Sequence, residues 1–269
     1  MQAHVTQPGP LAGAGSVARW GRPLAVGLTA LCLLWAVVAL SRVWTLAVAN
    51  DLVAVDHLTL QAFAQRWLDT GSMYLPYQVA GPFDPRPLPH VPSIMPSMYP
   101  PHAVYLFVPS LVLPAILWWA IPFSIIGYAL WRWRPAVWTW PVLVLLLADS
   151  DSLTWLVVGS STMWTASFVA AGLLWSWPAV LVTLKPSLLP FALIGIRRRS
   201  WWIASAGLAV LSLPLAGQWM AYASVVQNAE ASLSYSLGSL PLMLVPVVAW
   251  LGRRQPRSAL VTLDSASRA

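Results

Sequence analysis

Lysine occurs once in 269 residues, at Lys185, and cysteine once, at Cys32. A lone cysteine excludes an intramolecular disulfide framework and leaves no pair for dithiol redox chemistry; within an apolar run it reads as a packing residue. Charge is scarce too: Asp, Glu, Lys and Arg make up 9% of the chain, against about 25% in soluble domains. Apolar residues take the place of charge, at 58% with a mean hydropathy of +0.68. An ordinary soluble domain is excluded, and the chain reads as an all-α polytopic membrane protein. No nucleotide-binding glycine motif is present, and the acids and histidines match no compact ligand spacing, so neither a cofactor nor a metal is expected.

The chain carries 18 tryptophans, which suit the interfacial layer where an apolar ring and a polar N–H are both satisfied. The net charge of +7 would point to nucleic acid in a soluble protein. Here its distribution argues for membrane lipids instead, because the basic residues gather in short clusters at the ends of apolar runs. Arg19 and Arg22 precede the first run, and Arg132 and Arg134 follow the second. Arg197, Arg198 and Arg199 close the Lys185 segment, and Arg253, Arg254, Arg257 and Arg268 lie in the tail. Placing these on the cytoplasmic side puts Asp51, Asp56, Asp69, Asp84, Asp149, Asp151 and Glu230 on the opposite side and leaves only Asp264 inside.

A spanning helix needs about 20 residues at roughly 1.5 Å each, which predicts a first span over 23–46, read as an anchor and not a cleaved signal. An outer loop over 50–102 follows, in which DHLTLQAFAQRWLDTG carries helical apolar spacing and a glycine stop, the pattern of a surface helix. The region 103–131 exceeds one span and contains Pro109, Pro114 and Pro122, so a short helix leading into a kinked span is expected. Runs at 136–148, 160–176, 201–216 and 238–251 complete about six spans, with an outer segment holding Gln218, Trp219, Tyr222, Asn228 and Glu230 between the last two. Residues 1–252 form one transmembrane domain and 253–269 a cytoplasmic tail, so that both termini of a multi-pass cell-membrane protein are cytoplasmic. No internal repeat supports a transporter of inverted symmetry.

One segment resists this count. If 178–196 were a single outward helix, Arg197–Arg199 would lie on the wrong side. The Lys185-Pro186 pair offers a break, with one half-helix rising to Lys185 and another descending to Arg197, a re-entrant arrangement tolerated where freed backbone groups face protein or a wet cavity. An ammonium in hydrocarbon costs at least about 2.5–3.5 kcal/mol, so Lys185 must face a cavity or a partner. It either pairs or snorkels for structure alone, or it holds an anionic headgroup such as a lipid-linked phosphate.

The motifs also fall in a recognisable order. Asp56 is followed by Gly71 and Tyr74, then by Tyr99-Pro100-Pro101, then by the turn Gly159-Ser160, and then by Lys185-Pro186 with an apolar run ending in RRRSWW. In this order the chain resembles the membrane glycosyltransferases of the C-type fold, in particular glycosyltransferase family 87 with its polyprenyl-phosphate-dependent, mannosyltransferase-like members. It departs from them at Ser160, where a glutamine is usual, in a shortened segment before Lys185, and in total length.

The resemblance implies transfer of a sugar, such as mannose, from a polyprenyl-phosphate donor to a lipid or glycan acceptor at the extracytoplasmic face, with no cofactor. Asp56 takes the position of the family's base, with Asp51 as second choice, although an acid opening a helix is also explained by the macrodipole. Lys185 would hold the donor phosphate. His57 would orient the acid or contact phosphate, Arg66 would reach the donor unless it only snorkels, and Tyr99 and His102 would line the substrate site. Asp149 and Asp151 either line the cavity mouth or end a short helix. A non-enzymatic membrane protein, a transporter of anionic lipids or a partner-binding remnant of the fold, is the alternative.

Overall fold

The computed structural model describes residues 14–85, 91–230 and 237–254, with side chains from residue 21. The side chain of Arg19, together with His90, Arg257, Asp264 and Arg268, lies outside the described residues. Helices make up the fold and no strand is present among the described residues, where two isolated bridges, Phe83 with Ala229 and Pro135 with Arg253, are the only β-type pairings.

The first helix, α1 (Ala14–Ala49), is the longest. The loop module that follows contains α2 (Val55–Thr70) and α3 (Pro76–Ala80), and leads into α4 (Val104–Ser110) and α5 (Ala115–Trp133). Helix α2 ends where Gly71 takes a φ of 76° and returns its N–H to Trp67 O, the left-handed stop that glycine permits. Between α4 and α5 the chain breaks at Pro114, because proline supplies no N–H and disfavours a helical residue before it. Next come α6 (Thr139–Ala148) and α7 (Ser150–Val157), bent by 62° at Asp149, and then α8 (Thr162–Trp175).

Helix α8 is the axis of the molecule. Ten of its residues are buried, enclosed by α5, by the 3-10 segment Trp177–Leu184 and by the last helix, α12 (Leu240–Leu251). Gly172 allows the closest of these approaches, since a Cβ there would stand 2.7 Å from that of Ala179. Helix α1 packs on α6 and α7 but leaves Leu24, Leu31, Leu34, Trp35, Val37 and Leu46 exposed. An apolar surface of that extent suits lipid, not water.

Two of the expected elements differ in form. The Lys185 segment is not a pair of α half-helices. It runs as 3-10 turns over Trp177–Leu184, breaks at Lys185 and continues through Pro186–Leu188 into the short α9 (Leu189–Ala192), because three prolines in 13 residues remove the N–H groups that an α-ladder needs. The segment doubles back: Lys185 reaches Thr162 at the start of α8, while Gly195 returns against Ser176 at its end.

The stretch read as an outer connection at 218–230 is also helical. Helices α10 (Arg199–Ser212) and α11 (Ala216–Asn228) form one apolar rod of 30 residues, about 45 Å at the α-helical rise and longer than a bilayer core of roughly 30 Å. The α11 end is held by the loop module, where Gln218 donates to Gly71 O at 2.6 Å and Asn228 to Gln78 O at 3.0 Å.

Among the described residues, three helices are long and apolar enough to cross a membrane, or four if α6 and α7 count as one bent span; α8 and α12 are apolar but shorter. Charge separates along the bundle. Gly21 abuts Trp138, Ala136 donates to Gly252 O at 2.8 Å, and Tyr128 stacks on Trp175. These contacts bring Arg22, Arg132, Arg134, Arg253 and Arg254 to one end. Asp51, Asp56, Asp149 and Asp151 lie at the other, where Ala54 and Asp56 donate to the carbonyls of Val157 and Val158 and Gly238 abuts Asp151. Arg22 and the exposed Arg42 stand 20 residues apart on α1, about 30 Å of helix, which matches the hydrocarbon thickness.

A topology follows that reporter fusions check. A reporter at Pro85 is expected on the extracytoplasmic side and reporters at Trp133 and Arg198 on the cytoplasmic side. An external signal at 198 would mean that 177–196 crosses completely and would remove the re-entrant reading.

Candidate functional site

The turn Gly159–Thr162, which opens α8, is the hub of the site. Gly159 adopts a φ of 74°, and a Cβ there would lie 2.9 Å from the Trp119 ring and 3.0 Å from the His57 Cβ. Any side chain at this position is therefore both strained and obstructed. Trp118 Nε1 donates to Gly159 O and Trp119 Nε1 to Leu156 O, each at 2.8 Å, so α5 pins the turn from one side. The start of α2 docks on the other: the backbone N–H groups of Asp56 and His57 reach Val158 O at 2.9 and 3.4 Å. The start of α2, the end of α7 and the start of α8 thus meet at one point, and Asp56 is held there, half-buried, in the first turn of α2.

Three hydroxyl residues follow the glycine, each with a separate task. Ser160 Oγ lies 3.2 Å from Thr162 Oγ1, Ser161 Oγ lies 2.6 Å from the Tyr99 hydroxyl, and Thr162 Oγ1 accepts from Lys185 Nζ at 2.5 Å. The ammonium donates a second bond to Ser239 Oγ at 3.1 Å and stands 5.4 Å over the Trp155 ring. Lys185 is 7% exposed. Its setting is two neutral hydroxyls and an aromatic face. Tyr99 is itself positioned by Tyr74, whose hydroxyl donates to Tyr99 O at 2.8 Å.

No family model matches the chain, and no curated protein or solved structure matches it. Its function is therefore argued from the site alone.

Of the residues selected in the sequence, Asp56, Lys185 and Tyr99 converge on this hub. His102 borders it: its Nε2 lies 3.3 Å from Thr183 Oγ1, two residues before Lys185, and its ring stacks on Trp219 at 5.6 Å. The others stand elsewhere. Asp51 is exposed in the turn between α1 and α2 with a φ of 54°. Arg66 donates to the carbonyls of Met73 and Ser93, each at 2.7 Å, and so fastens α2 to the loop beyond it. His57 points its ring between Trp118 and Trp119, with centroids 4.9 and 5.7 Å away, and neither of its nitrogens has a hydrogen-bond partner. It therefore does not orient Asp56. Asp149 caps α7, accepting from the N–H groups of Asp151 and Ser152 at 3.1 and 3.3 Å, which accounts for it structurally. Among the described residues no cluster of His, Cys, Asp or Glu is arranged to hold a metal ion.

The sequence reading passed over Thr162, Ser239 and Trp155. Their signal was present but weak: three consecutive hydroxyl residues opening an apolar helix, and one serine immediately before the last apolar run. A lysine that must be buried needs such groups.

Two consequences are measurable. Gly159→Ala is expected to cost more than about 1 kcal/mol, because the strain of a positive φ adds to the obstruction, and to lower any activity by displacing the start of α2. Thermal unfolding checks the first effect; an unchanged midpoint would contradict the close approach. The second concerns acid. Burial lowers the pKa of His102 from 6.5 to about 4 and also lowers that of His57. Between those values the unfolded chain binds protons that the folded one does not, so stability is intact above pH 6.5 and is expected to fall as pH drops toward 4. A melting temperature that stays flat between pH 7.5 and 4.5 would contradict this.

Proposed function

We propose that the protein is a membrane glycosyltransferase that moves a sugar such as mannose from a polyprenyl-phosphate donor to an acceptor at the extracytoplasmic face. The observation that supports this reading is the convergence of Asp56 and Lys185 on the turn that opens α8, the first held by its own backbone N–H on Val158 O and the second a buried ammonium bonded to the hydroxyls of Thr162 and Ser239. An ammonium has three donors. Thr162 and Ser239 each accept one of its hydrogen bonds, and a further donor would serve an anion. A phosphate at that point would gain a charge-assisted hydrogen bond in a site shielded from water, and the bond would strengthen as the leaving phosphate gathers charge. Asp56 would take the acceptor hydroxyl proton while that oxygen attacks the anomeric carbon and the bond to the phosphate oxygen breaks, a single displacement with inversion.

In the full arrangement about six segments cross the membrane, with the Lys185 turn re-entrant between them and both termini cytoplasmic. The gathering of Arg22, Arg132, Arg134, Arg253 and Arg254 at one end and of Asp51, Asp56, Asp149 and Asp151 at the other fits that orientation, and the hub then lies at the level of the outer leaflet, where a lipid-linked phosphate resides. Tyr99 and His102 would line the approach from the loop module.

The test is incubation of purified membranes containing the protein with a panel of labelled polyprenyl-phosphate sugars, followed by product analysis. Transfer from at least one donor is expected. No transfer from any donor, at normal expression, would favour a non-enzymatic protein that binds or moves anionic lipids through the same Lys185 site.

A further inference from the structure

A second site lies beside the hub, with His57 and Trp118 in the wall between them. A small, partly open cavity of about 70 Å³ lies between α2, α4, α5 and α8, lined by His57, Tyr105, Pro109, Leu113, Leu117 and Trp164 among others. Its walls are mostly apolar, but two polar groups in its lining are unsatisfied. His57 is 3% exposed and neither of its ring nitrogens has a partner, and the buried Trp164 Nε1 has none either. The other polar side-chain atoms of the lining are engaged: the Tyr105 hydroxyl donates to Leu211 O, Ser110 Oγ to Phe107 O and Trp118 Nε1 to Gly159 O. Leaving buried donors and acceptors unpaired is costly enough that they are rarely left so.

The chemistry of these groups selects a ligand. Burial lowers the His57 pKa, so the ring is neutral near pH 7 and presents one N–H donor and one nitrogen acceptor. An alcohol hydroxyl is the complement, because it donates to an imidazole nitrogen while its oxygen accepts from the indole N–H. A phosphate is not, since no cationic side chain lines the space. The volume exceeds the roughly 10–15 Å³ that one water needs, which leaves room for a hydroxyl and the first few carbons behind it. Leu113 of the lining is exposed, as are its chain neighbours Val112 and Ile116, an apolar surface along which a hydrocarbon chain would run on into lipid.

We propose that this cavity is a binding site for the hydroxyl end of a neutral long-chain alcohol entering laterally from the membrane, with His57 and Trp164 as its polar ligands. The site is independent of the glycosyl-transfer reading. It places a neutral membrane alcohol one residue along α2 from Asp56, without requiring that the two sites act together.

The protein in lipid nanodiscs, illuminated with a long-chain alcohol carrying a photoreactive diazirine near its hydroxyl, gives the test, with the methyl ether of the same chain as comparison. Labelling is expected within 105–121, competed by unlabelled alcohol and at least about fivefold stronger for the alcohol than for the ether, the scale of a buried neutral hydrogen bond. His57→Phe keeps a planar ring but has no ring nitrogen, and should bring alcohol labelling down to the ether level. Leu117→Trp should fill the space and abolish labelling by both. Equal labelling by alcohol and ether, labelling unchanged in either variant, or none within 105–121 would mean that the cavity holds only water or lipid tails. If His57→Phe does not fold, the alcohol-to-ether ratio of the native protein and the Leu117→Trp result decide alone.

Discussion

Asp56→Asn is expected to abolish sugar transfer while leaving the protein folded and donor binding nearly intact. Asparagine has almost the same shape and keeps the backbone contact to Val158, which does not depend on the side chain, but it cannot accept a proton. Loss of a general base costs about 10²–10⁴-fold in rate. The alternative account of Asp56, an acid favoured by the positive end of α2, is worth only about 0.3–1 kcal/mol of stability and cannot produce a rate loss of that size. Asp51→Asn is the control. Asp51 is exposed in a turn at a φ of 54°, a conformation that asparagine also tolerates, so near-native activity is expected. Activity lost at Asp51 and kept at Asp56 would pass the role of base to Asp51, and full activity in both would remove the base from this loop.

Lys185→Met is expected to weaken donor binding by about 10- to 150-fold, the scale of a hydrogen bond to a charged group, with normal insertion and folding. Methionine fills much of the space of the lysine stem, but Thr162 and Ser239 lose their donor, so expression and thermal unfolding of the variant are measured alongside binding. A fall in affinity at an unchanged unfolding midpoint is then not a disguised folding defect. Lys185→Arg should restore binding only in part, because a planar fork does not reproduce the geometry of a compact ammonium held between Thr162 and Ser239. Donor binding measured by equilibrium dialysis in detergent checks both. Unchanged affinity in Lys185→Met would return the lysine to a structural role.

The pattern of what could be read in the chain follows from the range of each signal. Hydropathy and length act locally, so α1, α5 and the broken passage at Pro114 were visible, as was the glycine stop of α2. The continuation of α10 into α11 was not, because Gln218 and Asn228 are polar residues whose partners, Gly71 and Gln78, lie about 150 positions earlier, and only the folded loop module makes a helix the better state there. In the site, Lys185 stood out because a lone lysine in an apolar run carries a cost that something must offset. Its partners Thr162 and Ser239 did not, since serine and threonine are unremarkable at helix starts. Arg66 illustrates the reverse error. A cation in an outer loop reads as a phosphate ligand, whereas here its donors go to the carbonyls of Met73 and Ser93, groups with no side-chain signature at all.

The central claim is that Asp56 and Lys185 serve one displacement, the first activating the acceptor and the second holding the phosphate that leaves. The most direct test is the anomeric configuration of the product formed by the purified protein from a single labelled polyprenyl-phosphate sugar, determined from its NMR coupling constants. One base and one departing phosphate on opposite faces of the sugar give inversion, and that is the predicted result. Retention of configuration would require a covalent or otherwise two-step route and would contradict the assignment.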